Sequence, residues 1–167
     1  MAEAEFERDV ALSMRTLLGR GFSQGPSYLF VEPGNGFLGD AKPDRPLPAW
    51  LSETDLGIFT EAYRASGFRG GLNWYRNIDR NWELTAPWQD AQIHQPSLFI
   101  AGAADSVITG LIGAKRINEL ERVLANLKGK LIIDGAGHWI QQERPDEVNA
   151  ALIAFLKENA GLAPGAQ

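Results

Sequence analysis

Two short apolar runs in the second half of the chain constrain its fold more than any other feature. Residues 97–101 read Ser-Leu-Phe-Ile-Ala and stop at Gly102, and residues 130–133 read Lys-Leu-Ile-Ile and stop at Asp134. Runs of this length, mostly apolar and closed by a turn residue, are typical of buried strands in a parallel sheet. We therefore expect two parallel strands in this part of the chain.

Helical patterns follow both runs. The first helix is predicted over residues 111–127, and the second begins at Pro145, a residue type favoured in the first turn of a helix. Apolar side chains recur on one face of this last helix, including Val148 and Leu156. The order strand–helix–strand–helix indicates an α/β fold. Because two parallel strands alone leave an apolar face and two edges uncovered, we expect them to end a larger sheet.

The first half of the chain shows helical spacing instead. Apolar residues predict a helix over residues 4–18. A capping sequence at Ser52 predicts the start of another helix, which Gly67 is placed to end. A third helix is predicted over residues 70–82. This half therefore has the character of a helical lid.

Between these helices lies a segment rich in glycine and proline. Residues 21–50 are expected to form a long irregular excursion, which in a compact protein often marks a functional loop or lid. The predicted domains are a helical cap region at residues 1–90 and an α/β part at residues 91–167.

Charge and composition argue against several classes of partner. The formal net charge is −5, and acidic and basic residues are mixed along the chain, whereas nucleic acids and anionic membranes call for clustered Lys and Arg. The sequence has no apolar run of about 18 residues. It contains no cysteine and two histidines, so neither a thiolate nucleophile nor a His-rich metal cluster is available. We expect a cytoplasmic protein that needs no cofactor.

Asp105 and His138 are the strongest candidates for catalysis. Each follows a predicted strand, at the edge where open α/β sheets place their ligands. A carboxylate beside imidazole Nδ1 fixes the tautomer and leaves Nε2 to accept a proton. The alternative is a solvated turn aspartate and a structural histidine, and spacing alone does not separate the two. Asp134 is a competing carboxylate, but its closeness to His138 in sequence favours a turn or capping role.

Aromatic residues are the other candidates. Tyr75, in a predicted lid helix, could donate a proton to an oxygen as a carbon–oxygen bond breaks, although packing in the lid explains a tyrosine there equally well. Trp74 and Trp139 would suit the wall of an apolar substrate pocket, and ordinary packing again competes. His94 is expected in a loop. The chain has no Gly-x-Ser-x-Gly elbow and no phosphate-binding or dinucleotide motif.

Taken together, these segments resemble the soluble epoxide hydrolases of the α/β-hydrolase fold. The specific part is Asn-Trp-Tyr-Arg-Asn at residues 73–77, followed by Asp105 and by Gly-His-Trp at residues 137–139. The opening residues 2–7 resemble the start of the family's cap, and residues 143–148 resemble the helix after its catalytic histidine. The resemblance implies the C-terminal half of that fold: the cap, then the last two β-α units of the parallel sheet.

The resemblance also implies a mechanism. In the family, an aspartate on the nucleophile elbow opens an epoxide to form a hydroxyalkyl-enzyme ester, with two cap tyrosines assisting at the epoxide oxygen. Tyr75 matches one of these tyrosines. A histidine oriented by an acid then activates water to release a vicinal diol, and His138 and Asp105 match that pair. No metal or organic cofactor is implied.

The chain departs from the family pattern where the nucleophile is concerned. The family's earlier strands, its elbow of the type His-Asp-Trp-Gly-Gly and the other cap tyrosine have no counterpart in the 167 residues. Met1 lies inside the family pattern, at the front of the cap. We therefore expect little or no turnover by this chain alone, and its expected partners are an epoxide together with the missing N-terminal half or a second copy.

Two other hypotheses remain open from the sequence. A haloalkane dehalogenase or another ester hydrolase of the same fold would share the late aspartate and histidine, and Trp74 could imitate a halide-binding indole. A non-catalytic protein could use the cap to bind a small apolar molecule or another chain. The tyrosine at position 75, in its Asn-Trp-Tyr-Arg setting, favours epoxide hydrolysis.

Overall fold

A computed structural model describes residues 2–19, 34, 36–39 and 41–162. The described residues divide into two compact units, the first running up to Asp90 and the second from Ala91 onward. Half of the irregular excursion predicted at residues 21–50 lies outside the described residues. Its described part, including residues 41–50, contains turns but neither helix nor strand.

The first unit is helical. Its elements are α1 (Ala2–Glu7), α2 (Val10–Gly19), α3 (Glu53–Ser66), α4 (Arg69–Arg76), α5 (Ile78–Thr85) and a 3-10 turn (Ala86–Trp88). The predicted capping sequence is confirmed at the start of α3, where the Ser52 hydroxyl accepts a hydrogen bond from the Asp55 amide and the Asp55 carboxylate accepts one from the Ser52 amide. Gly67 ends the helix with a φ of 69°, a backbone conformation that glycine adopts without strain.

Two helices predicted to be continuous are each broken into two. The predicted helix 4–18 is interrupted because the Asp9 carboxylate accepts a hydrogen bond from the Leu12 amide at 3.0 Å and so starts a new helix. The predicted helix 70–82 is interrupted at Asn77, whose side-chain amide donates to the Asn73 carbonyl at 2.8 Å. In both places a short polar side chain hydrogen-bonds to nearby backbone and ends the regular helix.

Helix α1 connects the other elements of this unit through its glutamates. Glu3 forms an ion pair with Arg76 at 2.6 Å, at the end of α4, and Glu7 accepts a hydrogen bond from the Phe68 amide, just before α4 begins. Between them, the buried Phe6 ring stacks on the Phe68 ring with centroids 5.1 Å apart. The two ends of α4 are thus held by carboxylates one helical turn apart on α1.

The second unit contains the sheet. Its elements are β1 (Ser97–Gly102), a π-helix (Val107–Ile112), α6 (Gly113–Asn118), a 3-10 turn (Leu120–Arg122), β2 (Leu127–Ile133), α7 (Ile140–Glu143), α8 (Pro145–Asn159) and a 3-10 turn (Ala160–Leu162). The strands pair in parallel, with Phe99 opposite Lys130 and Gly102 opposite Ile133. The predicted α/β order and the start of the last helix at Pro145 are confirmed.

The helix predicted over residues 111–127 is confirmed only in part, because α6 covers Gly113–Asn118 and a 3-10 turn covers Leu120–Arg122. The connection instead begins with the π-helix, and Gly113, with a φ of 65°, separates it from the short α6. A left-handed residue cannot continue a right-handed helix, so the chain changes direction there. Strand β2 begins earlier than predicted, at Leu127.

The core of this unit lies between β2 and the two last helices. Ile133, Ala136, Ile140 and Val148 are buried together, and Ile100 and Leu131 pack against them. Other apolar side chains are not covered: along α8, Leu152 is 41% exposed and Leu156 is 62% exposed. Among the described residues the sheet has two strands, so each strand keeps an unpaired edge.

The described residues show neither a membrane-spanning helix nor a metal-binding cluster. None of the helices there is both long and apolar enough to cross a membrane. The same residues contain no group of three or more His, Asp or Glu side chains arranged to hold a metal ion.

Candidate active site

The carboxyl ends of β1 and β2 are joined by main-chain hydrogen bonds. The Ala103 amide donates to the Ile133 carbonyl at 2.9 Å, and the Ala104 amide donates to the Ala136 carbonyl at 2.9 Å. Gly102 makes this approach possible, because a Cβ atom at that position would collide with the carbonyl oxygens of Ala136 and Gly137. The loops that follow the two strands are therefore held side by side.

This arrangement brings Asp105 and His138 into contact. Asp105 Oδ2 lies 3.0 Å from His138 Nδ1, while Asp105 Oδ1 accepts a hydrogen bond from the Val107 amide at 2.8 Å. The Asp105 side chain is 11% exposed and that of His138 is 35% exposed. A carboxylate can only accept at Nδ1, so it holds the neutral ring in the tautomer whose Nδ1 carries the proton. The basic lone pair then lies on Nε2, in a ring that solvent reaches.

The competing carboxylate predicted from the sequence, Asp134, has a different place. Asp134 is exposed in the turn after β2, and the carboxylate beside Nδ1 is that of Asp105. His94 is exposed in the loop before β1, as its position predicted. The acid and the histidine thus come from two different loops.

The turn that carries His138 is held from several sides. Gly135 adopts a φ of 67°, and its carbonyl accepts a hydrogen bond from Arg144 at 3.1 Å. Glu143, at the end of α7, accepts hydrogen bonds from the amides on both sides of the histidine. The Gly137 amide donates to Oε2 at 2.7 Å and the Trp139 amide donates to Oε1 at 3.0 Å. The sequence analysis did not identify Glu143 as a site residue. No residue pattern in the sequence marks it, because its contacts depend on how the chain reverses after His138.

Trp139 lies directly beside the histidine. Its ring meets that of His138 edge to face, with centroids 5.1 Å apart and planes at 80°. This contact gives the imidazole an apolar wall on one side.

Trp74 and Tyr75 belong to the first unit. Both are on α4 and strongly exposed, at 77% and 73%. Ile78 and Trp82 follow at helical spacing on α5, exposed at 58% and 76%. We call these four exposed side chains, three of which are aromatic, the exposed aromatic row.

Curated epoxide hydrolases are similar to this chain over most of its length. Epoxide hydrolase A of Mycobacterium tuberculosis is 44% identical over 161 residues, which are 93% of this chain and 48% of that protein. Epoxide hydrolase 2 of Siraitia grosvenorii is 36% identical, over 95% of this chain and 50% of its own length. The chain is a homologue of the epoxide hydrolases. It spans about half the length of the curated epoxide hydrolases that it matches.

Solved structures of epoxide hydrolases match in three dimensions as well. Epoxide hydrolase A from Mycobacterium thermoresistibile superimposes with a TM-score of 0.80 at 42% identity, over 94% of this chain and 49% of the other. An epoxide hydrolase from an endophytic Streptomyces gives a TM-score of 0.83 at 41% identity, over 96% and 49%. The chain therefore has part of the α/β-hydrolase fold of these epoxide hydrolases. No family model matches the sequence.

Proposed function

We propose that this chain supplies the water-activating part of an epoxide hydrolase that converts epoxides to vicinal diols. The observation that carries the proposal is the hydrogen bond between Asp105 and His138, at the ends of two adjacent parallel strands in a homologue of epoxide hydrolases. An oriented, solvent-accessible imidazole at that edge is the group that a hydrolytic step requires.

The proposed step is hydrolysis of an ester between the opened epoxide and a carboxylate nucleophile. His138 Nε2 takes a proton from water as the water oxygen bonds to the ester carbonyl carbon, and Asp105 stabilises the imidazolium that forms. The tetrahedral intermediate then collapses by breaking the bond to the alkoxide, which receives the proton back and leaves as a diol. The nucleophile is released as a carboxylic acid, and the proton that it loses on becoming a carboxylate again replaces the one consumed when the epoxide ring opens.

Tyr75 is proposed to act in the preceding step. Its phenol would hydrogen-bond to the epoxide oxygen and supply a proton as the carbon–oxygen bond breaks. Trp74 and Trp139 are proposed to contact the substrate, Trp139 because its ring already lies against that of His138. This route uses only side chains and water.

We place the nucleophile outside the 167 residues, because the sequence has no elbow motif and spans about half of its relatives. The isolated chain is therefore expected to form no diol. Its proposed partner is the N-terminal half of an epoxide hydrolase, which would bring the ester to His138. A second copy of this chain would not provide an elbow motif.

The test is a chimera in which this chain replaces the corresponding half of the solved Mycobacterium thermoresistibile epoxide hydrolase A. With styrene oxide, the chimera is expected to form diol, whereas the isolated chain forms none. In the chimera, His138→Asn should stop turnover and leave the protein heavier by the mass of one epoxide, because the ester forms but is not hydrolysed. His94→Asn is the matched control and should leave diol formation unchanged.

Three results would contradict the proposal. They are diol formation by the isolated chain, full activity of the His138→Asn chimera, and release of chloride from a chloroalkane in preference to opening of styrene oxide. Replacing Tyr75 with Phe separates the two steps, since slower formation of the ester with unchanged hydrolysis is expected. Unchanged ester formation with slower hydrolysis would contradict a role of Tyr75 in ring opening.

A further inference from the structure

The Glu143 carboxylate contacts the backbone of the histidine turn at two points. Gly137 N lies 2.7 Å from Oε2 and Trp139 N lies 3.0 Å from Oε1, so each oxygen accepts one of the amides that flank His138. Because both oxygens are used, the plane of the carboxylate fixes the two peptide groups relative to each other. The orientation of the residue between them, His138, is fixed with them.

Glu143 is itself held in place. Its amide donates to the Trp139 carbonyl at 2.8 Å while its carboxylate accepts from the Trp139 amide, which closes a ring of contacts over the start of α7. On the core side, Ala136 is fully buried and Ile140 is 7% exposed. The turn is therefore packed from below and fixed by the carboxylate from the side, and neither contact involves the imidazole ring.

We propose that Glu143 is a positioning residue for His138, which sets the imidazole so that Asp105 meets Nδ1 and Nε2 faces the reacting water. This inference deepens the proposed function and rests on it. Only a group with two acceptor oxygens performs the task. A glutamine in the same place would keep one acceptor and put its NH2 group against the other amide. Glu143→Gln is therefore expected to lose part of the fixed orientation of the His138 ring, and Glu143→Ala is expected to lose all of it.

The experiment reads the ring directly and needs no substrate. In the 167-residue chain with ¹⁵N-labelled histidine, the signals of His138 are identified as those that remain in His94→Asn. The Nδ1–H tautomer is expected to predominate in the unmodified chain, to decrease in Glu143→Gln, and to lose its predominance in Glu143→Ala. Glu158→Gln is the matched control, because Glu158 is exposed near the end of α8 and makes no contact with the histidine turn among the residues that the structure describes. It should leave the ring signals unchanged.

The chimera adds a kinetic readout. There, Glu143→Gln should slow ester hydrolysis roughly 10- to 100-fold, the size expected from a displaced catalytic group, and leave the rate of ester formation unchanged. If Glu143→Gln changes the tautomer of His138 but the unmodified chimera forms no diol, the positioning role is upheld and the proposed function is contradicted. An active chimera whose Glu143→Gln form keeps both tautomer and rate would overturn the positioning role alone.

A measurement on the unmodified chain covers the case in which the variants fail to fold. If the carboxylate holds the two amides, the N–H groups of Gly137 and Trp139 should exchange with deuterium far more slowly than the amide of the exposed Asp134. Exchange of all three at the same rate would overturn the proposal.

Discussion

His138 Nδ1 and Asp105 Oδ2 lie 3.0 Å apart although 33 residues separate them in the sequence. The contact depends on two strands that end side by side, on a glycine that lets their loops approach, and on turns that aim both side chains at one point. Each of these conditions can be tested separately.

Replacing Asp105 tests its role as the partner of His138 directly. In the chimera, Asp105→Asn should slow ester hydrolysis by roughly 10²- to 10⁴-fold, because an amide can hold the ring in the wrong tautomer and cannot stabilise the imidazolium. Single-turnover mass spectrometry would then show the ester persisting. Asp134→Asn, at the exposed neighbouring carboxylate, is the control and should hydrolyse the ester at the normal rate. Equal effects of the two changes would contradict the assignment of Asp105.

A pair of glycine substitutions tests the approach of the two loops. Gly102→Ala should lower the free energy of unfolding by about 1 to 3 kcal/mol, because its methyl group meets the carbonyl oxygens of Ala136 and Gly137. Gly57→Ala, within α3 and with no atom within 4 Å of the new methyl group, should raise it by about 0.5 to 1 kcal/mol. Urea denaturation measures both. An unchanged urea midpoint for Gly102→Ala would show that the two loops can move apart without loss of stability.

The ion pair between Glu3 and Arg76 predicts how acid affects the first unit. The hydrogen bond from Arg76 lowers the pKa of Glu3 from 4.5 to about 2. The stabilisation is therefore fully present above pH 4.5 and is lost as the pH falls through about 2. Glu3→Gln should remove this part of the acid sensitivity, seen as a flatter dependence of stability on pH between 4.5 and 2. Glu83→Gln, in an exposed pair with Arg80 at 3.7 Å, is the control and should leave the slope unchanged.

Two fully buried serines should respond in opposite ways to replacement by alanine. Ser13 Oγ donates to the Phe6 carbonyl at 2.7 Å, so Ser13→Ala should cost about 1 kcal/mol of stability. Ser106 Oγ has no hydrogen-bond partner among the described residues, so Ser106→Ala should be neutral or stabilising by up to about 1 kcal/mol. Thermal unfolding compares the two. A large loss in Ser106→Ala would mean that its hydroxyl is satisfied.

The sequence predicted best those features that depend on neighbouring residues. The cap at Ser52, the stop at Gly67 and the helix start at Pro145 follow from local hydrogen bonding and backbone geometry, and all are present. The breaks at Asp9 and Asn77 were missed because a short polar side chain outweighs a continuous apolar stripe.

The site was predictable to the extent that sheet geometry determines it. Asp105 and His138 follow adjacent strands, so their meeting could be expected from the order of the elements. The contacts of Glu143 depend on how the chain reverses after His138, and no periodicity in the sequence records that reversal.

The exposed aromatic row has a consequence for optical spectroscopy. Trp74 and Trp82 are 77% and 76% exposed, so their indoles should emit at the long wavelengths of tryptophan in water. Any molecule that covers the row would move that emission to shorter wavelength. Because Trp88 is 66% exposed as well, a titration of the Trp88→Phe chain can follow binding at α4 and α5 without a label.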